Sequence, residues 1–196
     1  ICPKNVKGND EQECIEKWVK KYKKGYDNRI SVRTSNIPGT LPDKIIDTII
    51  NTKLNLTSKN LELIKYSHRL SMTAENILGS LLEEFLFNEL KNHGWCCAWG
   101  STIKSVDFCE RNGDLWQIKN RSNSENSSSS SVRDGTVIKK WYRVNAVTGE
   151  YKWDILNQKI NVPHLSEENF SNFVRQTLSK NKGALAIDDE SPWNQY

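Results

Sequence analysis

From Thr73 to His93, the residues Ile77, Leu78, Leu81, Leu82 and Phe85 share one face of a periodic helix, which His93-Gly94 terminates. Three short extended segments follow at once: Trp95 to Trp99, Ile103 to Cys109 and Leu115 to Lys119. Between the last two lies Glu110-Arg111-Asn112-Gly113-Asp114, whose Asn-Gly pair is a strong hairpin signal. An apolar helical stripe feeding a hairpin must bury that stripe against the sheet. The expectation is a mixed α/β fold with a central sheet built on residues 95–119, flanked by the Thr73 helix and a later one.

The remainder of the chain is read around that unit. Glu11 to Gly25 is expected to be helical, with acids at its front and Lys20, Lys21, Lys23 and Lys24 at its back, as the helix dipole favours. That lysine cluster reads either as a solvated helix end or as a phosphate contact. Residues 37–42 are rich in turn formers. Asp43 to Leu54 and Ser58 to Leu70 read as two further helices, so residues 1–72 form an N-terminal helical subdomain ahead of a core at 73–196. Past the hairpin, Ser127 to Ser131 reads as a loop or helix entrance that approaches something closely. Val137 to Arg143 is expected to be helical, Tyr151 to Leu156 a strand, 166–180 a helix and 188–196 a polar tail.

Composition excludes several classes. The chain has 196 residues and a net charge of +4, from 28 Lys and Arg against 24 Asp and Glu, so an anion-binding face must come from placement rather than bulk charge. Five cysteines without a Cys-x-x-Cys pair, and three scattered histidines, support neither a zinc site nor a disulfide framework. A reducing cytoplasm is the simpler expectation. No segment approaches the roughly 18 apolar residues of a membrane span. Ile1-Cys2-Pro3-Lys4-Asn5 carries neither a signal-peptide pattern nor an initiating Met, the beginning expected of a trimmed or partial chain. Walker and Rossmann glycine patterns are absent.

The hairpin assembles the chemistry. Alternation puts Gln117 and Lys119 on one face of their strand and Trp116 and Ile118 on the other. A turn about Asn112-Gly113 sets Asp107 opposite position 118, and a one-residue change in loop length moves it only to 117 or 119. Every such register brings a carboxylate, an amide oxygen and an ammonium together. A hard cation such as Mg2+ takes oxygen ligands of this kind. A neighbouring Lys can orient or deprotonate an attacking water and offset charge on a phosphate. A surface hairpin with ordinary polar residues is the competing reading.

The helix ahead of the hairpin carries Gly79-Ser80-Leu81-Leu82-Glu83-Glu84, and Glu83 precedes the turn glycine Gly94 by eleven residues. Together these segments resemble the PD-(D/E)xK nuclease superfamily, in which a helix with Gly-x-x-x-Glu precedes strands bearing Asp and (Asp/Glu)-x-Lys. The resemblance implies that Glu83 is the helix acid, with Glu84 the neighbouring alternative that the helix face does not separate. It further implies that Asp107, Gln117 and Glu83 hold Mg2+ and that Lys119 is the motif lysine. Gln117 departs from the pattern, being neutral where a carboxylate is usual, so the site should hold Mg2+ more weakly or be degraded. The longer runs Ala74-Glu75-Asn76, Ser105-Val106-Asp107-Phe108-Cys109, Gln117-Ile118-Lys119-Asn120-Arg121 and Lys140-Trp141-Tyr142-Arg143 are similar to a group of type II restriction endonucleases that cut GG(A/T)CC-type sites. The resemblance spans about residues 73–145, and the first 70 contribute nothing to it.

The segment beyond Lys119 has the chemistry of a DNA reader. Arg121 and Arg133 could each grip a guanine edge at O6 and N7. Asn120, Asn123 and Asn126 could pair with adenine or with phosphate oxygens. Ser127 and Ser128 are small enough to admit the backbone to the duplex. Lys139, Lys140 and Arg143 could track phosphates, or belong to an amphipathic helix whose Trp141 and Tyr142 are core. Trp95, Trp99 and Trp116 read as core packing rather than base stacking. The expected function is Mg2+-dependent, sequence-specific cleavage of double-stranded DNA within a restriction-modification system, and a palindromic target implies a homodimer. The rival readings are a structure-specific nuclease such as a junction resolvase or repair nickase, and a non-catalytic DNA-binding protein on the same fold.

Overall fold

The computed structural model describes residues 7–37, 39, 43–122, 137–162 and 164–194. Helix α1 (Glu11–Asp27) is capped by Asp10, whose side chain accepts from the Glu13 N–H, and α2 (Lys44–Leu54) is capped by Asp43 in the same way on Ile45. Helix α3 runs unbroken over Ser58–Leu90. The two helices expected at 58–70 and 73–93 are therefore one, because Ser71-Met72 breaks neither helix propensity nor hydrogen bonding. A boundary at 72/73 falls inside this helix. A 3₁₀ turn, Lys91–His93, and the left-handed Gly94 (φ 80°) then reverse the chain into the sheet.

Among the described residues, four strands form a sheet in the order β1 (Trp95–Cys97), β2 (Phe108–Glu110), β3 (Leu115–Arg121) and β4 (Ile138–Val144). The β1–β2 and β2–β3 pairs are antiparallel and β3–β4 is parallel, so the sheet is mixed, as expected. Helices α4 (Trp153–Ile160) and α5 (Glu167–Lys180) follow.

Three expectations are corrected. Residues 137–143 are not helical but form most of β4, because pairing of Leu115 through Arg121 with Ile138 through Val144 satisfies their backbone groups and buries Trp141. The i, i+3 spacing of Ile138 and Trp141 mimicked a helix. Tyr151 makes only an isolated bridge to Val144, and 153–160 is helical, with Trp153 and Leu156 buried on one face. The strand expected from Ile103 begins only at Phe108; Val106 N–H donates to Ile103 O at 3.3 Å and Ser105 has φ 59°, so this stretch turns. The serine run 127–131 and most of the 37–42 turn lie outside the described residues.

The core sits where α3 crosses the sheet. Phe85 packs its ring 5.8 Å from Trp153, 5.4 Å from Phe170 and 5.7 Å from Phe173, joining α3 to α4 and α5. Trp95, Trp99 and Trp116 are all buried, and Trp95 lies 5.3 Å from Trp116, so these indoles are core. Helix α1 docks by close backbone approach: a Cβ on Gly25 would stand 2.1 Å from Gly100 N. Lys21 Nζ donates to Ser101 O at 3.0 Å, which gives one member of the lysine cluster a structural role.

Candidate active site

The hairpin turn sets the site. Gly113 takes φ 92°, its N–H donates to Glu110 O at 2.9 Å, and Asn112 Oδ1 accepts from Asp114 N–H at 2.9 Å. The register is Phe108 opposite Trp116 and Cys109 opposite Leu115. Continued outward, it sets Asp107 opposite Gln117, one of the three registers the loop length allows.

There the ladder changes character. Asp107 N–H donates to Trp116 O at 2.8 Å, while Ile118 N–H donates to the Asp107 side chain, Oδ2, at 2.7 Å. The carboxylate takes the place of a strand carbonyl. That charge-assisted bond orients Asp107 before any ligand arrives.

Gln117 is buried, and its Oε1 has no hydrogen-bond partner. A buried amide oxygen left unpaired costs about 1–3 kcal/mol. Such an orphan acceptor beside a carboxylate fits a cation ligand. Lys119, two residues on and half-buried, shares the Gln117 face of β3.

The structure separates the two helix acids. Glu84 is buried and turned away from the hairpin: it accepts from Ser31 N–H at 3.0 Å and from the Ser31 hydroxyl, with Arg29 Nε 3.5 Å off. Glu83 faces Asp107 and Lys119. Burial, and then the negative charge of Asp107, push its pKa up to about 8, with Lys119 and Arg33 opposing. Two carboxyl groups that resist ionising together, with an orphan amide oxygen alongside, make an all-oxygen donor set suited to Mg2+. Among the described residues no cluster of three or more His, Cys, Asp and Glu side chains that could hold a metal ion exists; the oxygen that could complete a set with Asp107 and Glu83 is the amide of Gln117.

The residues expected to contact DNA are placed differently. Arg121 is exposed at the end of β3. Lys140 pairs with Gln117 in the β3–β4 register, which brings it to the site's flank. Arg143 is buried: its Nε donates to Asn120 Oδ1 at 2.9 Å, its Nη1 pairs with Glu167, and its guanidinium stacks 5.4 Å from the Phe170 ring. These contacts clamp β4 to β3 and α5, a structural duty for Arg143, while the bond to Asn120 engages only its amide oxygen. Asn123, Asn126, Ser127, Ser128 and Arg133 lie outside the described residues.

Sequence reasoning passed over Arg33. Its charge acts on Glu83 and its Nη2 donates to Ser80 Oγ at 3.3 Å. Arg33 lies fifty residues from Glu83, and no local pattern announces a contact of that span.

A family model described as the SinI restriction endonuclease matches residues 5–180, so the likeness reaches well into the N-terminal helices that carried no motif. The type II restriction enzyme Eco47I of Escherichia coli is 46% identical over 131 residues, covering 64% of this chain and 57% of that protein. The type II restriction enzyme SinI of Salmonella infantis is 41% identical over 133 residues, covering 65% and 58%. The chain thus spans less than two thirds of the length of the curated relatives it matches.

Proposed function

Since this chain belongs to the SinI restriction endonuclease family, we propose that it is a site-specific endonuclease that hydrolyses phosphodiester bonds of double-stranded DNA with Mg2+, as the nuclease of a restriction-modification system. The observation that carries the reading is the convergence of Asp107, Glu83 and the orphan Oε1 of Gln117 beside Lys119. Asp107, Glu83 and Gln117 would hold Mg2+, which supplies Lewis-acid polarisation of the scissile phosphate. Lys119 orients the attacking water and offsets charge gathering on the phosphate oxygens. Asp107, fixed by Ile118 N–H, keeps its carboxylate in place through the reaction, so little reorganisation is required. A two-fold DNA target read by one site per subunit calls for a homodimer. Cys96, Cys97 and Cys109 are thiols outside any disulfide, which fits a reducing cytoplasm. Among the described residues, no helix is long and apolar enough to cross a membrane.

The neutral Gln117 favours one second reading, a DNA-binding protein that has lost catalysis. A plasmid digest with added magnesium decides between them. Discrete fragments are expected, with Asp107→Ala and Lys119→Ala losing on the order of a hundredfold or more in rate while retaining specific binding. Uncut plasmid under conditions of tight binding would establish the second reading, and nicks confined to branched or damaged DNA would make the enzyme structure-specific.

A further inference from the structure

A cleft of about 300 Å3 is lined by Thr73, Asn76 and Ile77 of α3. Thr73, Asn76, Ser80 and Glu83 follow the i, i+3, i+7, i+10 spacing of one helical face, and Arg33 of the cleft donates to Ser80 and acts on Glu83, so the cleft lies on the Glu83 face toward the N-terminus of α3. Its opposite wall is the segment from Asn28 to Asn36. Among the described residues lining it, Arg33 alone is charged; Asn28, Thr34, Ser35, Asn36 and Asn76 supply amides and hydroxyls, with no carboxylate among the described lining.

This wall is built rather than loose. Glu84 holds Ser31, Asn181 Nδ2 donates to both Ile30 O (3.1 Å) and Arg33 O (2.9 Å), and Ser35 N–H donates to Gly183 O at 2.8 Å. Ile30 is buried in the core. Three anchors therefore fix the backbone on either side of Arg33. The Ser35 hydroxyl, also on this wall, is buried without a partner. A cationic, hydroxyl-rich cleft carrying an unused donor suits an anion with several acceptor oxygens.

We infer that this cleft is a backbone-phosphate subsite in which Arg33, aided by Ser35, grips a DNA phosphate next to the scissile one. This rests on the nuclease reading and adds a substrate contact from the N-terminal third of the chain. The rise of α3 sets the scale: Ser80 lies about 4.5 Å and Asn76 about 10 Å along the axis from Glu83, so the cleft lies alongside the scissile position rather than on it. Arg33 then has two duties. It offsets the paired carboxylates while the site is empty, and it fixes the strand when DNA is bound.

Binding without cleavage tests this directly. The full chain is titrated with a short GG(A/T)CC duplex in Ca2+ across a salt series, as wild type, Arg33→Ala, Arg33→Gln and Arg33→Lys. Losing one phosphate contact should make the log-affinity versus log-salt slope shallower by about 0.9. Arg33→Ala and Arg33→Gln should bind roughly 10- to 100-fold more weakly, with Arg33→Lys retaining the slope. Duplexes in which each phosphate in turn is a neutral methylphosphonate should reveal one non-scissile position whose loss matches that of Arg33→Ala and adds nothing to it. Unchanged slopes in both neutral variants, or fully additive losses at every phosphate, would overturn the subsite and leave Arg33 as a neutraliser of Glu83. The methylphosphonate series on wild type remains decisive even if a variant fails to fold, since no sensitive non-scissile phosphate means no subsite. A wild type that binds this duplex but leaves it uncut in Mg2+ defeats the nuclease reading, while the slopes still decide on Arg33.

Discussion

Two adjacent glutamates on one helix should respond in opposite ways to substitution. Glu84→Ala removes an acceptor that satisfies the Ser31 N–H and hydroxyl and lies 3.5 Å from Arg29 Nε. Each hydrogen bond to a charged acceptor is worth about 1.5–3 kcal/mol, and breaking a buried ion pair leaves its partner uncompensated at about 3–5 kcal/mol. These contributions overlap, so the expected loss is about 4 kcal/mol, a large share of a typical domain's roughly 5–15 kcal/mol. Glu83→Gln removes no such network and should leave stability at pH 7 unchanged or raised, while cleavage falls on the order of a hundredfold or more. Urea unfolding followed by tryptophan fluorescence measures the first effect, and plasmid cleavage in magnesium the second, at a temperature where both variants are folded. A Glu84→Ala protein of wild-type stability that no longer cuts, beside a Glu83→Gln protein that cuts normally, would reverse the assignment and refute the reasoning.

Gln117→Glu should lower the magnesium concentration needed for cleavage, because an added negative ligand strengthens a hard-cation site, and Gln117→Ala should raise it; coincident magnesium curves for these and wild type would remove Gln117 from the site. The raised Glu83 pKa makes the folded protein hold a proton the unfolded chain releases near pH 4.5, so metal-free stability should decline as pH rises from there to about 8. Urea midpoints at pH 5 and pH 8 should therefore converge in Glu83→Gln, and an equal pH dependence in both proteins would count against the coupling. Gly25→Ala should destabilise by about 1–3 kcal/mol, because its Cβ would meet Gly100 N at 2.1 Å. Gly79→Ala, with open space at its Cβ in the interior of α3, should stabilise by about 0.5–1 kcal/mol, and thermal melts read both.

The parts of the site that were legible in sequence are those governed by short-range rules. The Asn112-Gly113 turn limits the register, and the period of two puts Gln117 with Lys119, so Asp107 had to meet them. What escaped depended on partners far along the chain. Helix periodicity cannot distinguish Glu83 from Glu84, because the deciding groups, Ser31 and Asp107, lie on opposite sides of it in sequence. Residues 138–144 extend only because β3 offers a parallel edge, and a parallel partner leaves no local turn signal. The partners of Arg143, Glu167 and Asn120, likewise lie 24 and 23 residues away, so no local pattern showed that this basic residue beside aromatics would clamp the core.

Asp107 Oδ2 accepts the N–H of Ile118, in a place where a sheet normally uses main chain. The candidate site is thereby wired into the same bond that marks correct strand alignment. A chain trapped one residue out of step would turn Gln117 and Lys119 to the opposite face and strand the Asp107 carboxylate. A chain in that register lacks the candidate site altogether. Under the proposed nuclease reading, such coupling of competence to completed folding is a safeguard intrinsic to the hairpin itself.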